Sequence, residues 1–396
     1  MNLLYIGYWG IEDPLTRSTI DPHLEVLRTF HHVDRIFLVT IERGNKPVRK
    51  ASTRNKIIHC PLSSRFNRLP LIGKVLDFVL FQLHVSKVVR SEGIELIVAR
   101  GALAGSLAYL VWRRTRVPFI VESFEPHAAY MLESGVWSRL GMRYQMQRVW
   151  EKRQQRAAVY LAPVSLNYLR HLERNGVPGS KLVLLPCTVD TQLFRFSVAE
   201  RRRLRNELNY TDDAVVGVYV GKFGDIYLGS EAFDVFERTY CFFSSSFHIL
   251  ILTGQDPHPI RKELERRGVA NYTVRYVPHD EVPGMLSAAD FAFSLVRPSP
   301  SKQFCSPIKN GEYWANGLPI LSTRGIGDDS RILEESNVGA TFSPNDEESL
   351  RDALIRIGNL VRAGREELNE SVAALASKHR GRELIRQAYN VLLGVN

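Results

Sequence analysis

The stretch Ser301–Ser322, SKQFCSPIKNGEYWANGLPILS, decides how we interpret the rest of the chain. It predicts a loop, then a short helix, then a buried strand. Ser306 can cap the helix and Pro307 suits its first turn, where no amide hydrogen is needed. Gly317 can end the helix in a left-handed conformation, before the strand Leu318–Leu321.

The amino-terminal end of this helix has the chemistry of an anion site. Lys309 and Glu312 stand three residues apart and therefore share a helix face. Free backbone amides, the helix dipole and the lysine favour a phosphate group there. Glu312 can accept hydrogen bonds from hydroxyl groups such as those of a ribose. The alternative is an ordinary capped helix with an exposed Lys–Glu pair, and this stretch alone favours the alternative.

The length and composition of the chain indicate a globular protein with two domains. With 396 residues, of which 44% are hydrophobic and 24% charged, the chain can form two cores. Its four cysteines form no CxxC or Cys/His cluster, so we expect a reducing compartment and no metal site. The chain lacks the basic start of a signal peptide, and no apolar run is long enough to span a bilayer. We therefore expect a cytoplasmic protein.

The positive charge of the chain lies in its first half. The net charge is +10, and Met1–Asp190 contains 27 Lys and Arg against 15 Asp and Glu, while the remainder is slightly acidic. This excess indicates an anionic partner. The candidates are nucleic acid, an acidic membrane surface and a phosphorylated substrate. The alternative is a basic surface that serves solubility. We expect no nucleic-acid partner, because no base-stacking platform accompanies the basic helix Arg139–Arg156.

Strand and helix patterns alternate along the chain. The strand Leu3–Tyr8, its turn at Gly10, a helix and the strand Val33–Val39 indicate the start of a parallel sheet. A second series begins with the strand Ala214–Val220 and the turn Gly221–Gly224. No GxGxxG motif is present, although the loop at Gly10 can approach a phosphate. The sequence therefore predicts two consecutive βα arrays.

The segment Arg65–Arg90 predicts a long helix with basic residues at both ends. It is apolar on most faces from Leu69 to Val89, which favours a helix packed between the sheet and its neighbours. The alternative is an amphipathic helix that docks on a membrane.

Three candidate catalytic residues follow the strand Pro118–Glu122. Glu122, Glu125 and His127 lie at or just past its carboxyl end, where open α/β sheets place their ligands. Each is a candidate base that activates an acceptor or a group that orients a sugar hydroxyl. A polar loop with an incidental histidine is the alternative for each.

Five segments follow one another in the order and spacing of a known family. They are KLVLLPCTVDTQLF (Lys181–Phe194), VGKFG (Val220–Gly224), LTGQDP (Leu252–Pro257), LSAAD (Leu286–Asp290) and PIKNGEYWANGLP (Pro307–Pro319). The first is similar to the family's hinge, the second to the turn that begins its donor domain, and the last to the block that holds a sugar nucleotide. With these segments, the chain resembles glycosyltransferase family 4, whose retaining enzymes have the GT-B architecture.

This resemblance implies the fold class and the domain organisation. We expect an α/β protein with two facing Rossmann-like βαβ domains and a cleft between them. The acceptor-binding domain is predicted at residues 1–190 and the donor domain at 191–375. A C-terminal helix at 376–396 is expected to cross back to the first domain.

The resemblance also implies which residues bind the donor. Lys222 stands where the family has a cation at the diphosphate, and Glu312 matches the second glutamate of the E-x7-E motif, which binds the nucleotide ribose. Lys309 and the amides beside it would face the diphosphate or the transferred sugar. The remaining residues assigned to donor binding are Gly10, Gly224, Ser306, Asn310 and Gly311.

Three positions depart from the family pattern. Leu228 replaces the family's second lysine, so Lys309 or Lys302 is expected to substitute for it. Phe304 stands at the first glutamate of E-x7-E and cannot accept hydrogen bonds from a sugar. Phe124 stands at the arginine of the family's "D.RG" turn, among the three catalytic candidates.

The function implied by the resemblance is transfer of a sugar from a UDP- or GDP-sugar to a glycan, lipid-linked or other hydroxyl acceptor, in polysaccharide or glycoconjugate synthesis. We expect retention of configuration and neither a cofactor nor a metal ion, since lysines and a helix dipole can counter the diphosphate charge. The basic first domain favours an anionic acceptor and peripheral contact with the inner face of the membrane. The alternative is a catalytically silent homologue that binds nucleotide or glycan as a scaffold, which the residue Phe304 favours.

Overall fold

The computed structural model of the protein describes residues 1–42, 53–63, 72–123 and 125–394. The chain forms two compact domains, of which the first consists of Met1–Pro186 with Glu383–Asn396 and the second of Cys187–Arg382. The sequence placed these boundaries at 190 and 375 instead. The difference arises because the backbone N–H of Val189 donates to the carbonyl of Arg380 at 2.8 Å, so both connecting segments are held in the second domain.

The first domain is a parallel sheet with helices on its faces. Its elements in chain order are β1 (Asn2–Ile6), α1 (Pro14–Thr19), α2 (Asp21–Leu27), β2 (Arg35–Glu42), β3 (Thr53–Arg54), β4 (Ile57–Ser63), α3 (Ile72–Ser91), β5 (Ile94–Arg100), α4 (Ala102–Thr115), β6 (Phe119–Ser123), α5 (His127–Glu133), α6 (Met142–Ala157), β7 (Tyr160–Pro163) and α7 (Leu166–Arg174). The strand order is β3-β4-β2-β1-β5-β6-β7, and the short β3 alone pairs antiparallel among the described strands. The order reverses between β1 and β5, so the loops after these two strands meet at the carboxyl edge of the sheet.

The second domain repeats this construction. Its elements are α8 (Val198–Glu207), β8 (Val215–Val220), α9 (Ser230–Phe243), β9 (Phe247–Leu252), α10 (Pro257–Arg266), β10 (Tyr272–Arg275), α11 (Val282–Ala288), β11 (Phe291–Ser294), α12 (Ile308–Ala315), β12 (Ile320–Thr323), α13 (Asp329–Ser336), β13 (Gly339–Phe342), α14 (Glu347–Ala363) and α15 (Arg365–Arg380). The six strands are parallel in the order β10-β9-β8-β11-β12-β13. Their apolar runs, such as that of β9, are buried between helices, as expected for parallel sheets. The prediction of two Rossmann-like βαβ domains is confirmed.

The chain returns to the first domain in its last helix, α16 (Glu383–Leu392). This helix packs against α2. Its inward side chains Ile385, Ala388, Tyr389 and Leu392 join the apolar cluster formed by β1, α2 and β2. The first domain is therefore built from both ends of the chain.

Helix α3 is described from Ile72 onward, and the predicted start at Arg65 lies outside the described residues. Its inward face, which includes Phe81, Val85 and Val89, is buried. Its outward face is exposed and starts with Leu76 and Val79, so the helix is packed on one side rather than surrounded. None of the helices in the described ranges is long and apolar enough to cross a membrane.

Candidate functional site

Two loops of the second domain meet where its strand order reverses. The loop after β8 contains Gly221, Lys222 and Gly224, and the loop after β11 leads into α12, which carries Lys309 and Glu312. Because β8 and β11 are parallel neighbours in the sheet, their carboxyl ends lie side by side. Open α/β sheets bind their ligands at this point. The fold thus brings together two motifs that are far apart in the sequence.

Helix α12 begins at Ile308, with Pro307 at its N-cap and no side-chain cap. The Ser306 hydroxyl instead accepts a hydrogen bond from the backbone N–H of Cys187 at 3.2 Å. The prediction that Ser306 caps the helix is therefore wrong, and its assignment to donor binding stays a prediction. Gly317 follows the helix with φ of 71°, which is the left-handed conformation that the sequence predicted. The first amides of α12 still need acceptors from outside the helix.

Lys309 reaches from α12 across to the loop after β8. Its ammonium nitrogen lies 4.6 Å from the centroid of the Tyr227 ring, in a cation–π contact, and 3.5 Å from the hydroxyl oxygen of Tyr227. A Cβ atom at Gly221 would displace this nitrogen, and the φ of 142° at Gly221 is one that other residues rarely adopt, so glycine suits this close approach. The positive charge of Lys309 is therefore fixed at the reversal point of the sheet.

Glu312 lies one turn further along α12 and is paired with a histidine that the sequence interpretation missed. Its Oε1 lies 3.2 Å from Nε2 of His279, in the loop after β10. Glu312 is 8% exposed, whereas the His279 side chain is 63% exposed. The hydrogen bond to Glu312 raises the pKa of His279 above its usual value. One sequence signal was available, because His279 follows a parallel strand on the carboxyl side.

Lys222 and Gly224 form the outer part of the loop after β8. The ammonium group of Lys222 lies 2.6 Å from Oδ2 of Asp225, and both side chains are exposed. Gly224 has φ of 86°, which only glycine adopts without strain. The backbone N–H of Phe223 donates to Oε1 of Gln255 at 2.7 Å, so the loop after β9 supports this turn. The roles of Lys222 and Gly224 in donor binding stay predictions.

Two residues assigned to donor binding are turned into the domain instead. Asn310 is fully buried and donates from Nδ2 to Oδ2 of Asp329 at 2.7 Å. Asp329 also pairs with the buried guanidinium of Arg380. A Cβ atom at Gly311 would approach Cγ of Arg380 to 3.2 Å. The side chain of Asn310 and the missing side chain of Gly311 therefore serve packing between α12 and its neighbours, so only their backbone amides are available to a donor. Their assignment to donor binding stays a prediction.

One departure from the family pattern, Phe304, lies just before α12 together with Lys302. Phe304 is 9% exposed and Lys302 is 5% exposed, in a single turn of 3-10 helix. An apolar ring suits this buried position, so Phe304 belongs to the packing of the loop. The substitution of Lys302 for the missing family lysine stays a prediction.

In the first domain, Glu122 is part of a buried polar network. Its Oε2 accepts from the Tyr5 hydroxyl at 2.6 Å and from Nη1 of Arg100 at 3.0 Å, and its Oε1 accepts from the Tyr389 hydroxyl and lies 3.4 Å from Nδ1 of His23. Burial alone would raise the pKa of Glu122, but His23, Arg100 and the hydroxyl donors together hold it well below its usual value. Burial lowers the pKa of His23.

This network corrects the prediction that Glu122 is a catalytic base. Its side chain is completely buried, both carboxylate oxygens are engaged, and a carboxylate with a depressed pKa is a poor proton acceptor. The residue lies at the carboxyl end of β6, as predicted. It points into the domain, however, where it binds α16 to the sheet.

The turn at Gly10 is in contact with a carboxylate of the protein. A Cβ atom there would lie 2.6 Å from Oε2 of Glu42, and the backbone N–H of Ile11 donates to Oε1 of Glu42 at 2.9 Å. The turn at Gly10 therefore lies beside the carboxylate of Glu42. The assignment of Gly10 to donor binding stays a prediction.

The other two catalytic candidates lie at the start of α5, while Phe124 falls outside the described residues. His127 makes an edge contact with Trp137, at 5.5 Å between ring centroids. The backbone N–H of Ala128 donates to Oε1 of Glu151 at 2.9 Å, and burial raises the pKa of Glu151 to about 7. Glu151, which the sequence interpretation missed, is therefore a carboxyl group with a raised pKa at the start of α5. The roles of Glu125 and His127 stay predictions.

Comparison with known proteins gives one family match and several matches in fold. Residues 27–188 match the family model described as glycosyl transferase 4-like domain, which covers most of the first domain. A search of curated proteins found no match.

Solved structures match over the whole chain. The Anabaena protein Alr3699/HepE, solved in complex with UDP, has a TM-score of 0.73 at 13% sequence identity, with 100% of both chains covered. Sucrose-phosphate synthase from Thermosynechococcus elongatus has a TM-score of 0.77 at 16% identity, again with 100% of both chains covered. WaaG, a glycosyltransferase involved in lipopolysaccharide biosynthesis, has a TM-score of 0.71 at 14% identity, with 99% of this chain and 100% of that chain covered. The resemblance to GT-B glycosyltransferases that the sequence motifs indicated is confirmed, and at these identities the structures show the fold.

Proposed function

We propose that the protein is a glycosyltransferase that moves a sugar from a nucleoside-diphosphate sugar, a UDP- or GDP-sugar, to the hydroxyl group of an acceptor. The observation that carries this proposal is the meeting of Lys309 and Glu312 with the Gly221 loop at the reversal point of the second sheet. A cation and helix amides suit a diphosphate, and one turn away a carboxylate suits ribose hydroxyls. HepE, which has the same fold, binds UDP and UDP-glucose.

Each residue of the proposed site has its own role in the reaction. Glu312 accepts hydrogen bonds from the ribose and fixes the orientation of the nucleotide. Lys309, Lys222 and the first amides of α12 stabilise the negative charge that grows on the diphosphate as it leaves. In this proposal the same cations counter the charge of the diphosphate without a metal ion.

The acceptor binds to the first domain in this proposal. Its hydroxyl oxygen attacks the anomeric carbon on the face from which the diphosphate departs, so the configuration is retained. The groups beside α5, Glu125, His127 and Glu151, orient the acceptor hydroxyl. The basic charge of this half of the chain favours an anionic acceptor such as a lipid-linked glycan diphosphate, in the synthesis of a polysaccharide or glycoconjugate.

The first experiment is a thermal-shift screen of nucleotides and sugar nucleotides, because a ligand that binds the folded state raises the melting temperature. We expect stabilisation by UDP or GDP and by one of their sugars. Glu312→Gln and Lys309→Met should each reduce the affinity for that ligand by roughly tenfold or more, as expected for a charged hydrogen-bonding group.

Lys262→Met, which removes an exposed lysine of α10, is the matched control and should leave the affinity unchanged. The assignment is wrong if no nucleoside diphosphate stabilises the protein, or if both site variants bind as well as the parent protein.

A second candidate function is that of a silent homologue that binds nucleotide or glycan as a scaffold. The observation that favours it is Phe304, which stands in place of the family's first glutamate. Measuring nucleotide affinity together with donor hydrolysis and sugar transfer distinguishes the scaffold from the enzyme. Tight binding without turnover on any donor and acceptor pair favours the scaffold, and release of the nucleotide with sugar transfer favours the enzyme.

A further inference from the structure

Tyr227 lies in the loop after β8, and the sequence interpretation assigned no role to it. Residues 226–228 pair with residues 295–297, which follow β11, through an antiparallel bridge between Tyr227 and Val296. Two backbone hydrogen bonds of 2.8 and 2.9 Å flank this bridge. The backbone that carries Tyr227 is therefore held in place by the connection that follows the neighbouring strand.

The residues after Tyr227 fix the segment further. Leu228 is 2% exposed and belongs to the apolar core of the domain. The guanidinium group of Arg297 contacts both carboxylate oxygens of Glu231, at 2.8 and 3.2 Å, and Glu231 also accepts from the backbone N–H of Gly229 at 3.0 Å. Because successive residues of an extended segment point to opposite sides, the burial of Leu228 directs the ring of Tyr227 away from this core and toward α12.

The ring of Tyr227 determines where the ammonium group of Lys309 lies. This nitrogen is 4.6 Å from the ring centroid, and it also meets the backbone at Gly221, where a Cβ atom would displace it. Lys222, the other lysine of the site, is paired with Asp225 at 2.6 Å, whereas Lys309 meets no carboxylate among the residues that the structure describes. Lys309 therefore offers an uncompensated positive charge at the reversal point of the sheet.

The hydroxyl group of Tyr227 has a hydrogen to donate. Its oxygen lies 3.5 Å from the ammonium nitrogen of Lys309. An ammonium group can only donate, so the hydroxyl oxygen is the acceptor in this contact and the hydroxyl hydrogen points elsewhere. No residue in the described ranges accepts this hydrogen. A phosphate group complements both side chains, because it is negatively charged and its several oxygens accept hydrogen bonds from neighbouring donors.

We propose that Tyr227 is a ligand of the donor diphosphate and the positioning residue of Lys309. Its hydroxyl group donates to an oxygen of the diphosphate, and its ring holds the ammonium group of Lys309 beside the same oxygens. This inference rests on the proposed function for the identity of the ligand, a nucleoside diphosphate. It adds a side chain that recognises the diphosphate and leaves the nucleoside to other residues, such as Glu312.

The test is titration of the full-length protein with UDP, GDP, the nucleosides uridine and guanosine, and inorganic pyrophosphate, by calorimetry or, for weak ligands, by ligand-detected NMR. Tyr227→Phe keeps the ring and removes the hydroxyl group. We expect it to weaken binding of the nucleoside diphosphate and of pyrophosphate by roughly tenfold, as the loss of a hydrogen bond to a charged group does. Binding of the nucleoside should be unchanged, a result that a general disturbance of the site would not produce.

A second set of variants tests the role of the ring. Tyr227→Leu removes both ring and hydroxyl group, and it should weaken diphosphate binding by roughly two- to fivefold more than Tyr227→Phe, as expected for the loss of an exposed cation–π contact. In a Lys309→Met background this additional loss should disappear, because the ring acts through the ammonium group. An additional loss that persists in that background overturns the positioning role.

Tyr240→Phe is the matched control, since Tyr240 is also a half-buried tyrosine and lies near the end of α9, at the amino edge of the sheet. It should leave every affinity unchanged, and melting temperatures establish that all variants are folded.

The outcomes distinguish this inference from the proposed function. If a nucleoside diphosphate binds and Tyr227→Phe leaves its affinity unchanged, or weakens the nucleoside equally, the role of Tyr227 is overturned and the proposed function stands. If pyrophosphate binds with the expected loss in Tyr227→Phe but no nucleoside diphosphate binds, the proposed function fails and the diphosphate role of Tyr227 stands. If neither ligand binds, both are overturned.

Discussion

At the scale of single residues, we expect the pair of Glu312 and His279 to make the proposed nucleotide binding depend on pH. A protonated His279 holds the carboxylate of Glu312, and its raised pKa means that this pair stabilises the folded protein fully below the usual histidine pKa of about 6.5. The stabilisation is lost as the pH rises through the raised value. In the proposed site, a ribose hydroxyl competes with His279 for the same carboxylate, so we expect ligand binding to have the opposite dependence.

We therefore predict that the affinity for the sugar nucleotide increases by roughly three- to tenfold between about pH 5 and pH 8, the range in which histidine titrates. In His279→Gln, the affinity should be nearly constant over this range. Calorimetric titration at several pH values measures the affinity of both proteins for the sugar nucleotide. An equal pH dependence in the variant would show that another group is responsible.

A second residue-scale prediction concerns Gly221. Gly221→Ala places a Cβ atom against the ammonium group of Lys309 and should weaken sugar-nucleotide binding by roughly tenfold, as the loss of one charge-assisted hydrogen bond does. Gly268→Ala is the matched control, because Gly268 also has a positive φ but no neighbouring atom within 4 Å of its Cβ position and no predicted role in donor binding. If both variants lose the same affinity, backbone strain rather than displacement of Lys309 is the cause.

At the scale of elements, the sequence predicted which strands and helices exist better than what their side chains contact. The helix that became α12 was recognised from Gly317 and the apolar strand after it, because these signals are local. The contacts of Ser306, Asn310 and Gly311 could not be predicted, because their partners Cys187, Asp329 and Arg380 are distant in the sequence. Glu312 was assigned from a motif, but its pairing with His279 depends on the adjacency of loops that only the folded sheet creates.

The attachment of α16 leads to a prediction about stability. Tyr389→Phe removes the hydroxyl that donates to Glu122 and leaves part of a buried carboxylate without a partner. We expect a loss of about 1 to 3 kcal/mol in the free energy of unfolding of the first domain, measured by denaturant unfolding. Tyr276→Phe, at an exposed position, is the control and should have no effect. A loss below about 0.5 kcal/mol, the usual range for surface substitutions, would mean that the network does not depend on α16.

At the scale of the whole molecule, the second domain is a continuous segment and the first is not. We predict that residues 187–382 produced alone fold cooperatively and bind the same nucleotide as the full chain, because Lys222, Lys309 and Glu312, which carry the proposed site, lie within them. Calorimetric titration and thermal unfolding of this fragment measure both properties. Loss of nucleotide affinity in a folded fragment would contradict the assignment of the site to the second domain.

Residues 1–186 alone should not form a stable domain. They lack α16 and would expose the apolar surface that Ile385, Ala388 and Leu392 cover. Adding residues 383–394 through a long flexible linker should restore cooperative unfolding. A fragment 1–186 that unfolds cooperatively without this addition would show that α16 is dispensable.

The return of α16 also has a consequence for the order of events during synthesis. Domains usually fold in the order in which they leave the ribosome, at about 5 to 20 residues per second. Here the amino-terminal domain is incomplete until α16 has been synthesised. Translation of residues 187–382, which come before α16, takes roughly 10 to 40 seconds at that rate. The carboxyl-terminal neighbour can fold during this interval, so the part of the protein that is made first is completed last.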